Sequence, residues 1–196
     1  MKPCAPDAAA FILAGGQSTR MGTDKAFVNL DGRPLLARML ELARSLTDDV
    51  RIVGEPARYS HFAPVVQDLY QNCGPLGGIH AALQSSATDL NLILAVDVPF
   101  VSLAFLLHLT QRARSSDASV IVVHTNERWQ PLCAVYRKKF SEVAKKALRN
   151  DCYRIDKLFA ETHTEVIDDE ELESAGFSSR LFRNLNTPQD LETFRP

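Results

Sequence analysis

No two cysteines in this chain stand at Cys-x-x-Cys spacing. Cys4, Cys73, Cys133 and Cys152 are scattered through 196 residues, which argues against a zinc site or a disulfide framework and for free thiols in a reducing cytoplasm. His61, His80, His108, His124 and His163 also lack ligand spacing and read as surface or core residues. Basic charge is not in excess. Lys and Arg number 22 against 24 Asp and Glu, a net charge of −2, so no chain-wide field is present to hold nucleic acid. Any affinity for phosphate must be local. Long apolar runs are missing too: none reaches membrane-spanning length, and Met1-Lys2-Pro3-Cys4 is too short and polar for a secretory signal. Repeats and linkers are absent. At 45% hydrophobic and 23% charged residues the chain has the composition of a globular protein and the length to bury a core. Residues 1–196 are therefore expected to form one domain, with no membrane or nucleic-acid partner.

Glycine is sparse, at nine residues, yet three fall in one short loop. The apolar run Ala8-Ala9-Ala10-Phe11-Ile12-Leu13 predicts a buried strand. It gives way to Ala14-Gly15-Gly16-Gln17-Ser18-Thr19-Arg20-Met21-Gly22-Thr23-Asp24-Lys25. Glycines let a backbone turn sharply and bring N–H groups close to a ligand. With Arg20 and Lys25 alongside, those donors suit a molecule carrying several phosphates. The spacing is not that of a P-loop, because five residues separate Gly16 from Gly22 and Thr23 follows. It is not the Gly-x-Gly-x-x-Gly of dinucleotide folds either.

Downstream, Ala26–Leu30 reads as a short extended piece and Asp31-Gly32-Arg33-Pro34 as a turn. Pro34 opens a helix whose apolar face is Leu35, Leu36, Met39, Leu40, Ala43 and Leu46. Val50–Val53, Pro64–Asp68 and Asn91–Val96 read as strands, the last of them central. A helix capped by Ser102, a strand over Ala118–Val123, an extended piece over Pro131–Tyr136 and an amphipathic helix over Lys138–Arg149 follow. Strands alternating with helices predict an α/β protein whose mostly parallel sheet is covered on both faces. Ligands of such sheets lie beyond the carboxyl ends of the strands, where Gly15 and Asp68 fall.

Three further features point to chemistry. Gly77 and Gly78 sit in the first turns of a helix, at a cost of roughly 1 kcal/mol each relative to alanine. Either a ligand comes close there or the helix packs tightly on the sheet. Asp97-Val98-Pro99 ends the central strand with a carboxylate that needs a cation. Magnesium suits, since it takes one or two carboxylates and fills its other positions with phosphate and water oxygens; a helix cap is the plainer alternative. Lys138, Lys139, Lys145, Lys146 and Arg149 form a basic helix face, either simply solvated or able to steer an anion. The acidic turn Asp168–Glu173 carries no assigned role, and Thr187-Pro188 predicts a last helix.

The run from Leu13 to Lys25 resembles the signature loop LAGGxSxRMGxDK of nucleotidyltransferases. With Gly15 where many relatives have alanine, it is most similar to that of molybdenum cofactor guanylyltransferases. Gly74-Pro75-Leu76-Gly77-Gly78-Ile79, Asp97-Val98-Pro99, Pro131-Leu132-Cys133-Ala134-Val135-Tyr136 and Asn184-Leu185-Asn186-Thr187-Pro188 resemble the family's later motifs, in the expected order. The resemblance implies a single-domain Rossmann-like nucleotidyltransferase fold. It also implies transfer of GMP from GTP to the terminal phosphate of molybdopterin, with pyrophosphate leaving. The catalytic residues it implies are Arg20 and Lys25 on the phosphates and Asp97 on Mg2+. Nucleotide contacts would come from Leu13, Ala14, Gly15, Gly16, Lys25, Gly54, Asp68 and Asp97, and metal or acceptor contacts from Asn184 and Asn186. Transient contacts with other proteins of cofactor biosynthesis or molybdoenzyme maturation are compatible with this family. One departure stands out: Gly54 occupies a position that is a base-contacting Asn in some relatives, so any contact there must use backbone. Transfer from CTP to molybdopterin, transfer from an NTP to a sugar phosphate, and a nucleotide-binding regulator without catalysis remain alternatives.

Overall fold

The first strand, β1 (Ala8–Leu13), is buried along its whole length. Its side chains alternate between two cores, as a strand covered on both faces requires. Ala8, Ala10 and Ile12 enter one; Ala9, Phe11 and Leu13 enter the other. The computed structural model describes residues 7–14, 24–70 and 72–185. In chain order the further elements are β2 (Asn29–Leu30), β3 (Arg33–Pro34), α1 (Leu35–Arg44), β4 (Val50–Val53), α2 (Pro56–Tyr59), β5 (Val65–Val66), α3 (Pro75–Ser85), β6 (Leu90–Ala95), α4 (Leu103–Arg114), β7 (Val120–Thr125), β8 (Arg128–Trp129), β9 (Cys133–Arg137), α5 (Phe140–Arg149), α6 (Ile155–Phe159), β10 (Thr164–Ile167) and α7 (Asp169–Ser174).

The main sheet runs β10-β7-β9-β6-β1-β4-β5, with β8 paired to β7. Neighbours are parallel except where β9 runs against β6 and β7, and β8 against β7. β6 is the middle strand, as its apolar sequence predicts. Helices α1, α4 and α7 bury Leu36, Phe105 and Leu172 on the first face. On the second, α3, α5 and α6 bury Ile79, Phe140 and Leu158. Each fully buried Leu, Ile or Phe contributes about 1.5–3 kcal/mol of transfer free energy, so the two cores together hold the sheet between its helices. This is the mostly parallel, two-sided α/β architecture expected from the alternation of strands and helices.

Two local expectations are corrected. Residues 26–30 are not one extended piece: a 3-10 turn covers Lys25–Phe27, because Asp24 Oδ1 accepts the Ala26 N–H at 3.0 Å. Strand β2 then pairs with β3 across Asp31 and Gly32, both at positive φ, the type I′ geometry of a two-residue hairpin. Asp168 to Glu173 is the start of α7 rather than a bare turn. Asp168 Oδ1 caps it by accepting the Glu171 N–H at 2.9 Å, and the acidic first turn suits a helix N-terminus. The extended piece near Tyr136 is an antiparallel strand, and its ladder begins at Cys133. The Ser102 cap is as expected, with its Oγ accepting the Phe105 N–H at 3.2 Å. The helix predicted from Thr187-Pro188 lies outside the described residues.

Candidate functional site

Parallel pairing places four strand ends in a row. Leu13 is level with Val53 on one side and Ala95 on the other, and Val53 is level with Val66. The residues that follow them, Ala14, Gly54, Asp68 and Asp97, therefore leave the same edge of the sheet. β1 lies where the strand order turns in opposite directions, the point at which open α/β sheets form a crevice. Pro131 and Leu132 arrive at this edge from the antiparallel strand, since Ala95 N–H donates to Leu132 O at 2.7 Å.

Backbone donors at this edge are already engaged. Ala14 N–H donates to Val53 O at 3.0 Å, Gly54 N–H to Val66 O at 3.0 Å, and Val96 N–H to Leu13 O at 3.2 Å. A ligand contact from Gly54 would thus use its carbonyl, which limits it to donors on a base.

Lys25 and Asp97 come together. Lys25 Nζ donates to Asp97 Oδ2 at 2.9 Å, with the side chains 23% and 19% exposed. The capped 3-10 turn presents Lys25, and the end of β6 presents Asp97. Leu185 N–H donates to Asp97 O at 3.1 Å, so Asn184, which is exposed, follows the same edge. Gly15, Gly16, Arg20 and Asn186 lie outside the described residues.

Asp68 is held against the start of α3. Its Oδ1 accepts the Tyr70 N–H at 2.8 Å. A Cβ on Gly77 would stand 2.7 Å from Asp68 Oδ2 and 2.8 Å from Tyr70 O, which side chains do not tolerate. Gly77 is therefore the gap that admits this carboxylate. Gly78 faces Leu13 and Val53 at 3.4 Å, ordinary packing of helix on sheet. Burial raises the Asp68 pKa, and the Tyr70 N–H only partly offsets it.

Lys138 and Lys139, expected on the basic helix face, precede α5. Lys138 Nζ is spent on Ser86 O at 2.6 Å and Lys139 Nζ on Asp117 O at 2.8 Å. Lys138 N–H donates to Asp89 O, at the amino end of β6, so these two lysines stand at the edge opposite the site.

Sequence reasoning missed Tyr59 and Arg58 altogether. Tyr59 is 2% exposed, and its hydroxyl lies 2.6 Å from Asp24 Oδ2 and 3.1 Å from Ala14 O. Arg58 donates to the same Asp24 oxygen at 3.2 Å. Asp24 stands in the loop motif and was visible there. Nothing local marks Tyr59, whose partners are 35 and 45 residues away.

Asp97 is the described carboxylate at this edge whose chemistry suits a divalent cation. The Asp97 oxygen already faces one cation, the Lys25 ammonium, and is partly exposed. A hard carboxylate oxygen is what Mg2+ takes, with phosphate and water oxygens in its other positions.

The comparisons agree with this geometry. The family model described as a MobA-like NTP transferase domain matches residues 10–166. The molybdenum cofactor guanylyltransferase of Vibrio atlanticus is 34% identical over 93% of this chain and 93% of its own. Its counterpart in Vibrio cholerae is 32% identical over 93% of this chain and 89% of its own. The crystal structure of molybdopterin-guanine dinucleotide biosynthesis protein A from Archaeoglobus fulgidus shares the fold with a TM-score of 0.82 over 94% of this chain and 95% of that one, at 24% identity. A sheet whose strand ends bring Lys25 to Asp97, and a family match that spans both, lead to one conclusion: the chain belongs to the MobA-like NTP transferase family.

Proposed function

We propose that the chain, as a single domain over residues 1–196, transfers GMP from GTP to the terminal phosphate of molybdopterin and releases pyrophosphate. The observation that carries this is the Lys25–Asp97 pair at the sheet's turning point, in a chain whose relatives at 32% and 34% identity are named molybdenum cofactor guanylyltransferase. An oxygen of the acceptor's phosphate monoester attacks the α-phosphorus of GTP. One P–O bond forms there, the bond from the α-phosphorus to the bridging oxygen breaks, and the electron pair leaves with pyrophosphate. The nucleophile is already anionic, so no protein base is needed. The task is to bring two anions together and to stabilise charge on the leaving group.

Lys25 supplies a compact ammonium for the triphosphate, together with Arg20 from the same loop. Asp97 would hold Mg2+, which when bound neutralises phosphate charge. Leu13, Ala14, Gly15 and Gly16, with the Gly54 carbonyl and Asp68, would contact the nucleotide; Asn184 and Asn186 would contact acceptor or metal. The Lys25–Asp97 contact keeps two charges paired until substrate separates them. Work in the cytoplasm is supported by the free thiols of Cys73, Cys133 and Cys152. Other proteins of cofactor biosynthesis or molybdoenzyme maturation would be the transient partners. Among the described residues no helix is long and apolar enough to cross a membrane.

Thermal unfolding tests the base. With magnesium present GTP should raise the melting temperature and CTP should not, because a ligand that binds only the folded state stabilises it. Equal shifts with both nucleotides would refute the guanine assignment.

A further inference from the structure

A single buried hydroxyl touches the two segments that carry the site. Tyr59 ends α2, outside the motifs quoted above, and is 2% exposed. Its oxygen is 2.6 Å from Asp24 Oδ2 and 3.1 Å from Ala14 O. The one proton goes to the shorter, charged contact, with the carbonyl as the long arm of a three-centre bond. Ala14 continues β1 at the edge where the nucleotide is expected. Asp24 directly precedes Lys25, and its other oxygen caps the 3-10 turn through the Ala26 N–H at 3.0 Å. The Phe27 ring, on that same turn, stacks on the Tyr59 ring at 6.1 Å between centroids and 28° between planes. Arg58 adds a donor to Asp24 Oδ2 from the exposed side at 3.2 Å.

We infer that Tyr59 is a positioning residue for Lys25: it fixes Asp24, and through Asp24 the turn that aims the Lys25 ammonium at Asp97 and the triphosphate. The turn is three residues long and has too few internal hydrogen bonds to define its own orientation. Asp24 orients it from one end, and its carboxylate, 14% exposed, is itself held by its donors. Two of those donors, Tyr59 and Arg58, come from α2; the better buried is Tyr59. Removing the hydroxyl leaves the ring packed against Phe27 while freeing the carboxylate to rotate. Lys25 then samples positions away from the phosphates, which lowers the rate of transfer more than it lowers binding.

This rests on the function proposed above, so the test has two independent readouts. The first is turnover of GTP. Tyr59→Phe should lower kcat about tenfold, the worth of one charge-assisted hydrogen bond, and change KM for GTP less than threefold. In a Lys25→Ala background the same substitution should cost less than about twofold, because its effect runs through Lys25. An equal loss in both backgrounds, or an unchanged kcat, overturns the inference. The second needs no activity. Amide hydrogen exchange at Ala26, whose N–H is bonded to Asp24, should quicken by about tenfold or more in Tyr59→Phe while amides of β6 keep their rates. Unchanged exchange at Ala26, or a uniform rise through the core, overturns it as well. Should Tyr59→Phe fail to fold, Asp24→Asn removes the charge that the hydroxyl bonds, and the same pair of outcomes decides. Absence of GTP turnover in the unsubstituted protein would refute the proposed function and leave the exchange result to judge Tyr59.

Discussion

Lys25 Nζ lies 2.9 Å from Asp97 Oδ2, joining residues 72 apart in the chain. The contact places the one described cation of the glycine-loop motif against the carboxylate that ends the central strand. The two charges proposed for separate tasks with substrate are thus partners of each other. Their partial exposure keeps the pair easy to open, since an ion pair reached by water is worth only about 1 kcal/mol or less.

Lys25 is the first residue to test. Lys25→Ala should lower the maximal rate roughly a hundred- to thousand-fold, about 3–4 kcal/mol, by analogy with the loss of one preorganised donor. GTP affinity should fall by less than that, because the contact tightens as charge moves onto pyrophosphate. Rate and affinity measured on the same preparation check this; a near-normal rate removes Lys25 from the mechanism.

Asp97 is the second residue to test. Asp97→Asn keeps the shape and loses the charge, so turnover should collapse, with urea unfolding shifted by no more than about 1 kcal/mol. A protein that turns over normally but unfolds far more easily would make Asp97 a structural residue.

The two glycines of α3 should separate cleanly. Gly77→Ala puts a Cβ 2.7 Å from Asp68 Oδ2, and the resulting overpacking should cost about 1–3 kcal/mol despite the better helix propensity of alanine. Gly78→Ala meets its neighbours at 3.4 Å, so the propensity gain of up to about 1 kcal/mol should leave it as stable as the parent or more so. Urea midpoints of the two variants check the difference, and equal effects would contradict the packing described for Asp68.

Cys133 should be chemically silent. Burial pushes its thiol pKa up to about 12, so at pH 8 it holds its proton and reacts with an alkylating reagent only after unfolding. Because its folded pKa is raised, the unfolded state loses its proton first as pH rises above about 9. Cys133 therefore favours unfolding progressively between that pH and about 12. Mass-resolved alkylation before and after denaturant checks the first point, and Cys133→Ala, with a flatter stability profile above pH 9, the second.

Much of this architecture is legible in the residues because strong local patterns mark it. Ala8–Leu13 and Asn91–Val96 are apolar on both faces, which only a sheet covered on both sides requires, and β1 and β6 are neighbours at its centre. Asp97 is legible because a carboxylate at the end of such a strand needs a cation. The short α2, α6 and β8 carry no periodicity or clear apolar run and go unseen. β10 is a short edge strand whose Glu165 is tied to Arg112 at 2.5 Å, and polar content masks it. The antiparallel insertion of β9 depends on long-range pairing that no local signal encodes. Gly77 is the most instructive case: its cost in helix propensity shows in the sequence, but the group it makes room for is Asp68, visible only once β5 and α3 are brought together.

The most direct measurement is product formation by the purified protein given bound molybdopterin, magnesium and either GTP or CTP. The account predicts a molybdopterin guanine dinucleotide and one equivalent of pyrophosphate from GTP, little from CTP, and none from the Asp97→Asn variant. Equal or faster turnover with CTP, or pyrophosphate release that survives loss of the Asp97 charge, would contradict it.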